Sequence, residues 1–397
     1  MSNYIPLSVP SLKGNELKYV KECIDNEWIS SAGKYVELFE EKIAEYTGAI
    51  FAVACVNGTS ALQVSLRLSG VEPGHEVIVP SLTFIAPVNA IAYNGASPLF
   101  MDSDEYYNID VEKSIEFIKN ETIFKKGCTY NKTNNKRISA IVPVHVWGNA
   151  CWLDNLLELC TERSIVIVED ASESLGTFYS SGKFSGKHTG TIGKIGCLSF
   201  NGNKIITTGG GGMILTDDEG IAERARYLTT QAKDDPVRYV HNEIGYNFRL
   251  TNIHAALGVA QLEHLPGILE RKRKIFRRYH TTLNNLDAFT IAIVPDYADN
   301  NHWMNILQIK QNKHVEDRES LMGRLNNSGI QTRPVWHLNH LQRPFKTCYS
   351  YKIENAIELV NNSLCIPSST SLSTLDQQKV INSLKKRSDE IYKKGEN

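Results

Sequence analysis

Apolar positions along the chain recur with two periods, and the switch between them marks the elements. Leu17, Val20 and Ile24, followed beyond Gly33 by Val36, Phe39, Ile43 and Tyr46, carry the three-to-four spacing of amphipathic helices. Asn57-Gly58-Thr59-Ser60 opens a further helix with Leu62, Leu66 and Leu68 as its apolar positions. Short apolar runs then alternate with helical stretches: strands at 76–80, 98–101, 140–145, 165–170, 195–200 and 213–216, and helices at 83–93, 111–119 and 153–163. That alternation predicts an α/β fold built on a doubly wound sheet. The rhythm breaks at 121–137, a basic, Asn-rich piece that reads as an exposed loop insertion. A helix at 253–265 leads out of a large domain, expected over 1–260. A strand at 306–309 among helices belongs to a smaller C-terminal domain, expected over 261–397.

Composition narrows the partners. A charged content of 22% with a net charge of −1 leaves no basic footprint for nucleic acid or an anionic membrane, so the expected partners are small molecules and further copies of the chain. The N-terminus lacks a basic segment followed by an apolar one, and no run approaches the length of a membrane span, so the expected compartment is the cytoplasm. The eight cysteines show no CxxC spacing and several lie in apolar runs, which reads as small core residues in a reducing compartment. The histidines form no ligand pattern, and no metal site is expected.

Candidate chemistry lies at two strand ends. Asp170 follows Glu169 at the carboxyl end of the run 165–168, and Lys204 follows the run 195–200, just before Gly209 to Gly212. In open α/β sheets such positions face the ligand crevice. A lysine and an acid there suit pyridoxal 5'-phosphate, which needs an amine for its aldehyde and an anion for its pyridinium nitrogen. By position alone the pair would not establish this, and both side chains read more readily as solvated loop charges. The hydroxyls of Thr59 and Ser60 at a helix N-terminus offer an anion site, or else a plain helix cap. The lysine precedes the glycine run, the wrong order for a P-loop, so the glycines are expected to give a tight turn and close backbone approach to the cofactor.

Five motifs stand in order: Gly58-Thr59-Ser60, Thr83-Phe84, Glu169-Asp170-Ala171-Ser172-Glu173, Ser199-Phe200 with Lys204, and Gly245-Tyr246-Asn247-Phe248-Arg249-Leu250. Together they resemble the DegT/DnrJ/EryC1/StrS family of pyridoxal-phosphate sugar aminotransferases over nearly the whole chain, from Ile5 to Pro367. The resemblance implies transferase fold type I, aspartate aminotransferase-like, with a large mixed-sheet α/β domain and a smaller C-terminal α+β domain. It implies Lys204 as the covalent anchor and proton carrier, Asp170 on the pyridine nitrogen, and Glu173 near the phenolic oxygen, where a carboxylate must be protonated or water-bridged to donate. It implies Phe84 on the ring face, and Gly58, Thr59, Ser60 and Ser199 around the phosphate. Asn247 is implied at the phosphate of the neighbouring subunit, which makes the active unit a homodimer with shared sites.

Members of the family commonly move the amino group of L-glutamate to a keto group of a nucleotide-linked deoxysugar by a ping-pong route. The stretch His145-Val146-Trp147-Gly148-Asn149 and the 121–137 insertion look closest to the legionaminic-acid and bacillosamine branch of surface glycan biosynthesis. That branch implies amination at C4 of UDP-4-keto-6-deoxy-N-acetylglucosamine. A C3 or C4 transfer to a dTDP- or GDP-linked keto-deoxysugar stands as the alternative, and a noncatalytic cofactor-binding regulator as a more distant one. Sugar-dehydrating relatives replace the lysine with histidine, and Lys204 argues against that reaction. Arg249, Arg333, Trp336 and His337 are candidates for gripping carboxylate, diphosphate or sugar.

Overall fold

The two apolar periods resolve into a wide mixed sheet flanked by helices and a smaller antiparallel sheet, in a computed structural model that describes residues 4–310 and 316–385. Helices α1 (Glu16–Asp25) and α2 (Lys34–Thr47) lead into β1 (Phe51–Cys55) and α3 (Gly58–Leu68). Next come β2 (Glu76–Pro80), α4 (Ala86–Tyr93), β3 (Ser97–Met101), α5 (Val111–Asn120), β4 (Thr122–Lys125), β5 (Cys128–Asn131), β6 (Arg137–Ile141), α6 (Asp154–Glu162) and β7 (Val166–Asp170). A short β8 (Phe178–Tyr179) precedes β9 (Ile195–Ser199), β10 (Gly212–Thr216) and α7 (Glu219–Thr229). Helix α8 (Asn252–Leu283) is followed by β11 (Phe289–Ile291), β12 (Ala298–Asp299), β13 (Asn305–Ile309), α9 (Arg318–Asn327), β14 (Arg333–Pro334), β15 (Ser350–Tyr351), α10 (Asn355–Asn362), β16 (Ser363–Ile366) and α11 (Thr374–Lys385).

The large sheet runs β1-β10-β9-β7-β6-β2-β3-β15, parallel from β9 to β15 and antiparallel at β10 and β1. Its inner strands are buried along nearly their whole length, as expected where helices cover both faces. The smaller sheet, β11-β13-β16-β14, packs a separate core with the C-terminal half of α8 through Ile275, Tyr279 and Leu283. Among the described residues no helix is long and apolar enough to cross a membrane. All eight cysteines are free, and six of them are buried.

Three features differ from the sequence expectations. Residues 121–137 carry a β-hairpin, β4 and β5, whose second strand pairs antiparallel with the start of β6. This segment has an inward role: Asn131, at the end of β5, and Asn134, in the turn that follows, donate through Nδ2 to the buried carboxylate of Glu76, which explains the Asn-rich run. Second, the helix expected at 253–265 continues to Leu283 through Pro266, so the expected 260/261 boundary falls inside α8. Third, the chain crosses between the two sheets at both ends. Ile5 bridges to Ile330 and joins the smaller core, while β15 pairs parallel with β3 at the edge of the large sheet.

Candidate active site

A cavity of about 280 Å³ opens at the carboxyl ends of β7 and β9. It brings together eight of the residues singled out from the sequence: Gly58, Thr59, Phe84, Asp170, Glu173, Ser199, Lys204 and Trp336. Strand alternation sorts the two acids at the end of β7. Asp170 turns into the cavity, where its Oδ1 accepts the Ser172 amide at 3.0 Å. Burial pushes its carboxyl upward, against the Ser172 hydrogen bonds and the Lys204 cation, which favour the anion. Glu169 turns to the opposite side and is fully buried. Burial alone would raise it, but the His145 ring and the amides of Gly190 and Gly193 hold its carboxyl below the usual carboxylate range. The Cys151 amide donates to His145 Nδ1 at 3.0 Å, so the ring proton lies on Nε2 and is donated to Glu169 at 2.8 Å. This pair braces the strand end that presents Asp170.

Lys204 sits between an anion and an aromatic face. Its Nζ lies 3.3 Å from Glu173 Oε1 and 4.4 Å from the ring centre of Trp303. Glu173 is 5% exposed, and burial pushes its carboxyl upward against the Lys204 cation and the Trp147 amide. Trp303 was not visible from sequence, because no period marks the turn Asn300-Asn301-His302. It is held from two sides: its Nε1 donates to the Asn203 carbonyl at 2.7 Å, and its own carbonyl accepts the buried Nζ of Lys272 at 2.8 Å.

The opposite wall forms around the N-terminus of α3. Asn57 caps the helix by accepting the Ser60 amide at 2.8 Å. Gly58 lies so close to the end of β9 that a Cβ there would stand 2.8 Å from that of Ser199. The glycine run has a related purpose that differs from the expected approach to a cofactor. A Cβ on Gly212 would stand 2.5 Å from the Asn57 carbonyl, so the close approach is between β10 and the backbone that starts α3. Thr83 and Phe84 precede α4, whose first turn contains Pro87. Phe84 is 52% exposed, which leaves a ring face open to the cavity, and its ring centre lies 6.3 Å from that of Trp336, tilted by 60°. Trp336 in turn stacks on Trp147 at 5.0 Å.

The other candidates lie elsewhere. Ser60 is buried behind the helix start and does not line the cavity. Arg249 does not line the cavity: its Nη1 donates to Glu40 at 2.7 Å, and Glu40 also accepts the Ala54 amide of β1 at 2.7 Å. Arg333 and His337 are exposed and do not line the cavity. Asn247 is exposed and lies off the cavity of its own chain.

A buried acid, an amine, a ring face and a helix N-terminus with hydroxyls share one cavity, and the model of the DegT/DnrJ/EryC1/StrS aminotransferase family matches residues 10–385. The chain belongs to that family. This DegT-family protein is 36% identical to EpsN of Bacillus subtilis, named as a pyridoxal phosphate-dependent aminotransferase, across 96% of the chain and 95% of the relative. It is 38% identical to a GDP-perosamine synthase of Escherichia coli across 93% and 94% of the two chains. A solved DegT-family aminotransferase of Brucella abortus superposes with a TM-score of 0.84 at 28% identity, covering 94% of each chain. The protein is therefore a pyridoxal-phosphate-dependent sugar aminotransferase of fold type I.

The donor set fits the cofactor. Asp170 would supply a buried carboxylate for a cationic ring nitrogen, Lys204 the amine, and Phe84 a ring face. The start of α3 with Thr59 and Ser199 would hold the phosphate, in a cradle that a side chain at position 58 would fill.

Proposed function

We propose that this aminotransferase moves the amino group of L-glutamate to the keto group of a nucleotide-linked 4-keto-6-deoxysugar, as a homodimer with shared sites, in the cytoplasm and for surface glycan synthesis. The observation that carries the reading is the shared cavity of Lys204 and buried Asp170. Pyridoxal phosphate, when bound, supplies the electron sink for the carbanion formed at the amino-bearing carbon. Lys204 Nζ is the group placed to hold and move the proton at that carbon. Asp170 stabilises positive charge in the cavity, and Phe84 and Trp336, the latter backed by the buried Trp147 ring, give it an apolar side that suits a sugar face. Exposed Asn247 is available to a partner subunit, which supports its assignment to the neighbouring phosphate.

Two acceptors divide the support. Similarity to a GDP-perosamine synthase favours a GDP-linked keto-sugar, while the sequence motifs favour UDP-4-keto-6-deoxy-N-acetylglucosamine. Absorbance of the cofactor-loaded protein tests the donor step: L-glutamate bleaches the visible band of the native chain, and Lys204→Ala never forms that band. Adding GDP-, UDP- or dTDP-linked keto-sugars to the bleached protein then restores the band with the true acceptor. A band that L-glutamate leaves unchanged overturns the donor assignment.

A further inference from the structure

An ammonium must shed a proton before it acts as nucleophile or base, and the structure restricts where the Lys204 proton goes. Glu173 Oε1, at 3.3 Å, is the nearest acceptor among the described residues, while the Trp303 ring on the other side has no lone pair to offer. The groups that face Glu173 are Lys204 from the loop after β9, Asp170 from the end of β7 and the Cys365 thiol from β16. Glu173 Oε2 is occupied by the Trp147 amide at 2.8 Å. That N–H is aimed by a left-handed backbone, φ 53°, which a tryptophan rarely adopts, and such strain gathers at functional sites. With Oε2 engaged as an acceptor, a proton on Glu173 settles on Oε1, facing the amine. The carboxyl is almost wholly removed from water, which favours its neutral form.

We propose that Glu173 takes the proton of the Lys204 ammonium on Oε1 and keeps it, as a neutral carboxylic acid, while the lysine nitrogen is engaged by the cofactor. One N–H bond breaks, one O–H bond forms, and the electron pair stays on nitrogen, so the ion pair becomes a neutral amine and a neutral acid without a further reactant. The inference rests on Lys204 as the cofactor-bearing amine, as argued under the proposed function.

The test is the infrared difference spectrum between apoprotein and protein loaded with pyridoxal phosphate, in H2O and D2O. Loading is expected to create a protonated-carboxyl band that shifts in D2O, shifts again on labelling with 13C-glutamate, and is missing in Glu173→Gln. The amide variant keeps an oxygen for the Trp147 N–H but cannot take the proton, so its cofactor uptake should slow by roughly a hundredfold at neutral pH. Absence of the band, its persistence in Glu173→Gln, insensitivity to 13C-glutamate, or an unchanged uptake rate each overturns the proposal. If the native protein forms no visible cofactor band at all, the assignment of Lys204 falls instead.

Discussion

Arg249 shows how a side chain in a functional motif can act as a structural member. It reaches across the fold to Glu40, and the two side chains are only 14% and 10% exposed. Glu40 keeps Arg226 at 3.8 Å, so removing Arg249 leaves the carboxylate with a weaker partner rather than none, at a cost of about 1–3 kcal/mol. Arg249→Met should therefore lower the urea midpoint by that equivalent, while kcat and KM of the folded fraction change little. A large rise in KM for glutamate or sugar at unchanged stability would return Arg249 to the ligand. Asn247 makes the opposite case, an exposed residue expected to act in a partner's site. Mixing Lys204→Ala with Asn247→Ala subunits should regenerate one native site per mixed dimer, giving about a quarter of native activity with random pairing. Activity no higher than that of either parent would show that the sites are not shared.

At the scale of elements, the site depends on how tightly α3 is pressed onto the sheet. Gly212 pairs with Cys55 on one side and Ser199 on the other, and its bare Cα lets the Asn57–Gly58 backbone settle on β10. Gly212→Ala should push the start of α3 outward, costing about 1–3 kcal/mol by overpacking. Cofactor affinity should fall along with the Tm, as read by equilibrium dialysis and thermal melts; a variant that loses neither would show that the helix start is free to move.

The parts of the site that sequence made legible are those carried by local signals. Asp170 and Lys204 follow apolar runs, Gly58 and Thr59 follow a cap, and each of these is readable within a few residues. What escaped is contributed across the chain. Trp303 reaches Lys204 from a turn without periodicity, and Glu40 lies more than two hundred residues from Arg249, so no window of sequence contains both. The hairpin of 121–137 was hidden for a related reason: its asparagines answer Glu76, a distant carboxylate, and mimic a solvated loop.

For the whole molecule, buried neutral histidine makes stability depend on acid. His188 accepts the Gly176 amide on Nε2 and donates Nδ1–H to the Thr189 carbonyl, and burial pulls its pKa down to about 4. Between 6.5 and 4 the unfolded chain binds a proton that the folded chain refuses, so folding weakens as pH falls through that window. The contribution is on the order of 3 kcal/mol, fully present above pH 6.5 and lost by pH 4. Urea titrations across that range should show the decline, and His188→Asn should flatten part of it; an unchanged pH slope in the variant would assign the acid sensitivity elsewhere.

The two-residue strand β15 has a consequence for biosynthesis. Among the described residues it is the strand that pairs with the outer edge of β3, at Phe100 and Met101, yet it lies far downstream of the strand it protects. During translation the edge groups of Phe100 and Met101 therefore await their last neighbour for roughly 10–50 s at ordinary elongation rates. A nascent chain of this enzyme carries an open sheet edge through most of its synthesis, and any message cut short before codon 350 yields a product primed to pair with other chains.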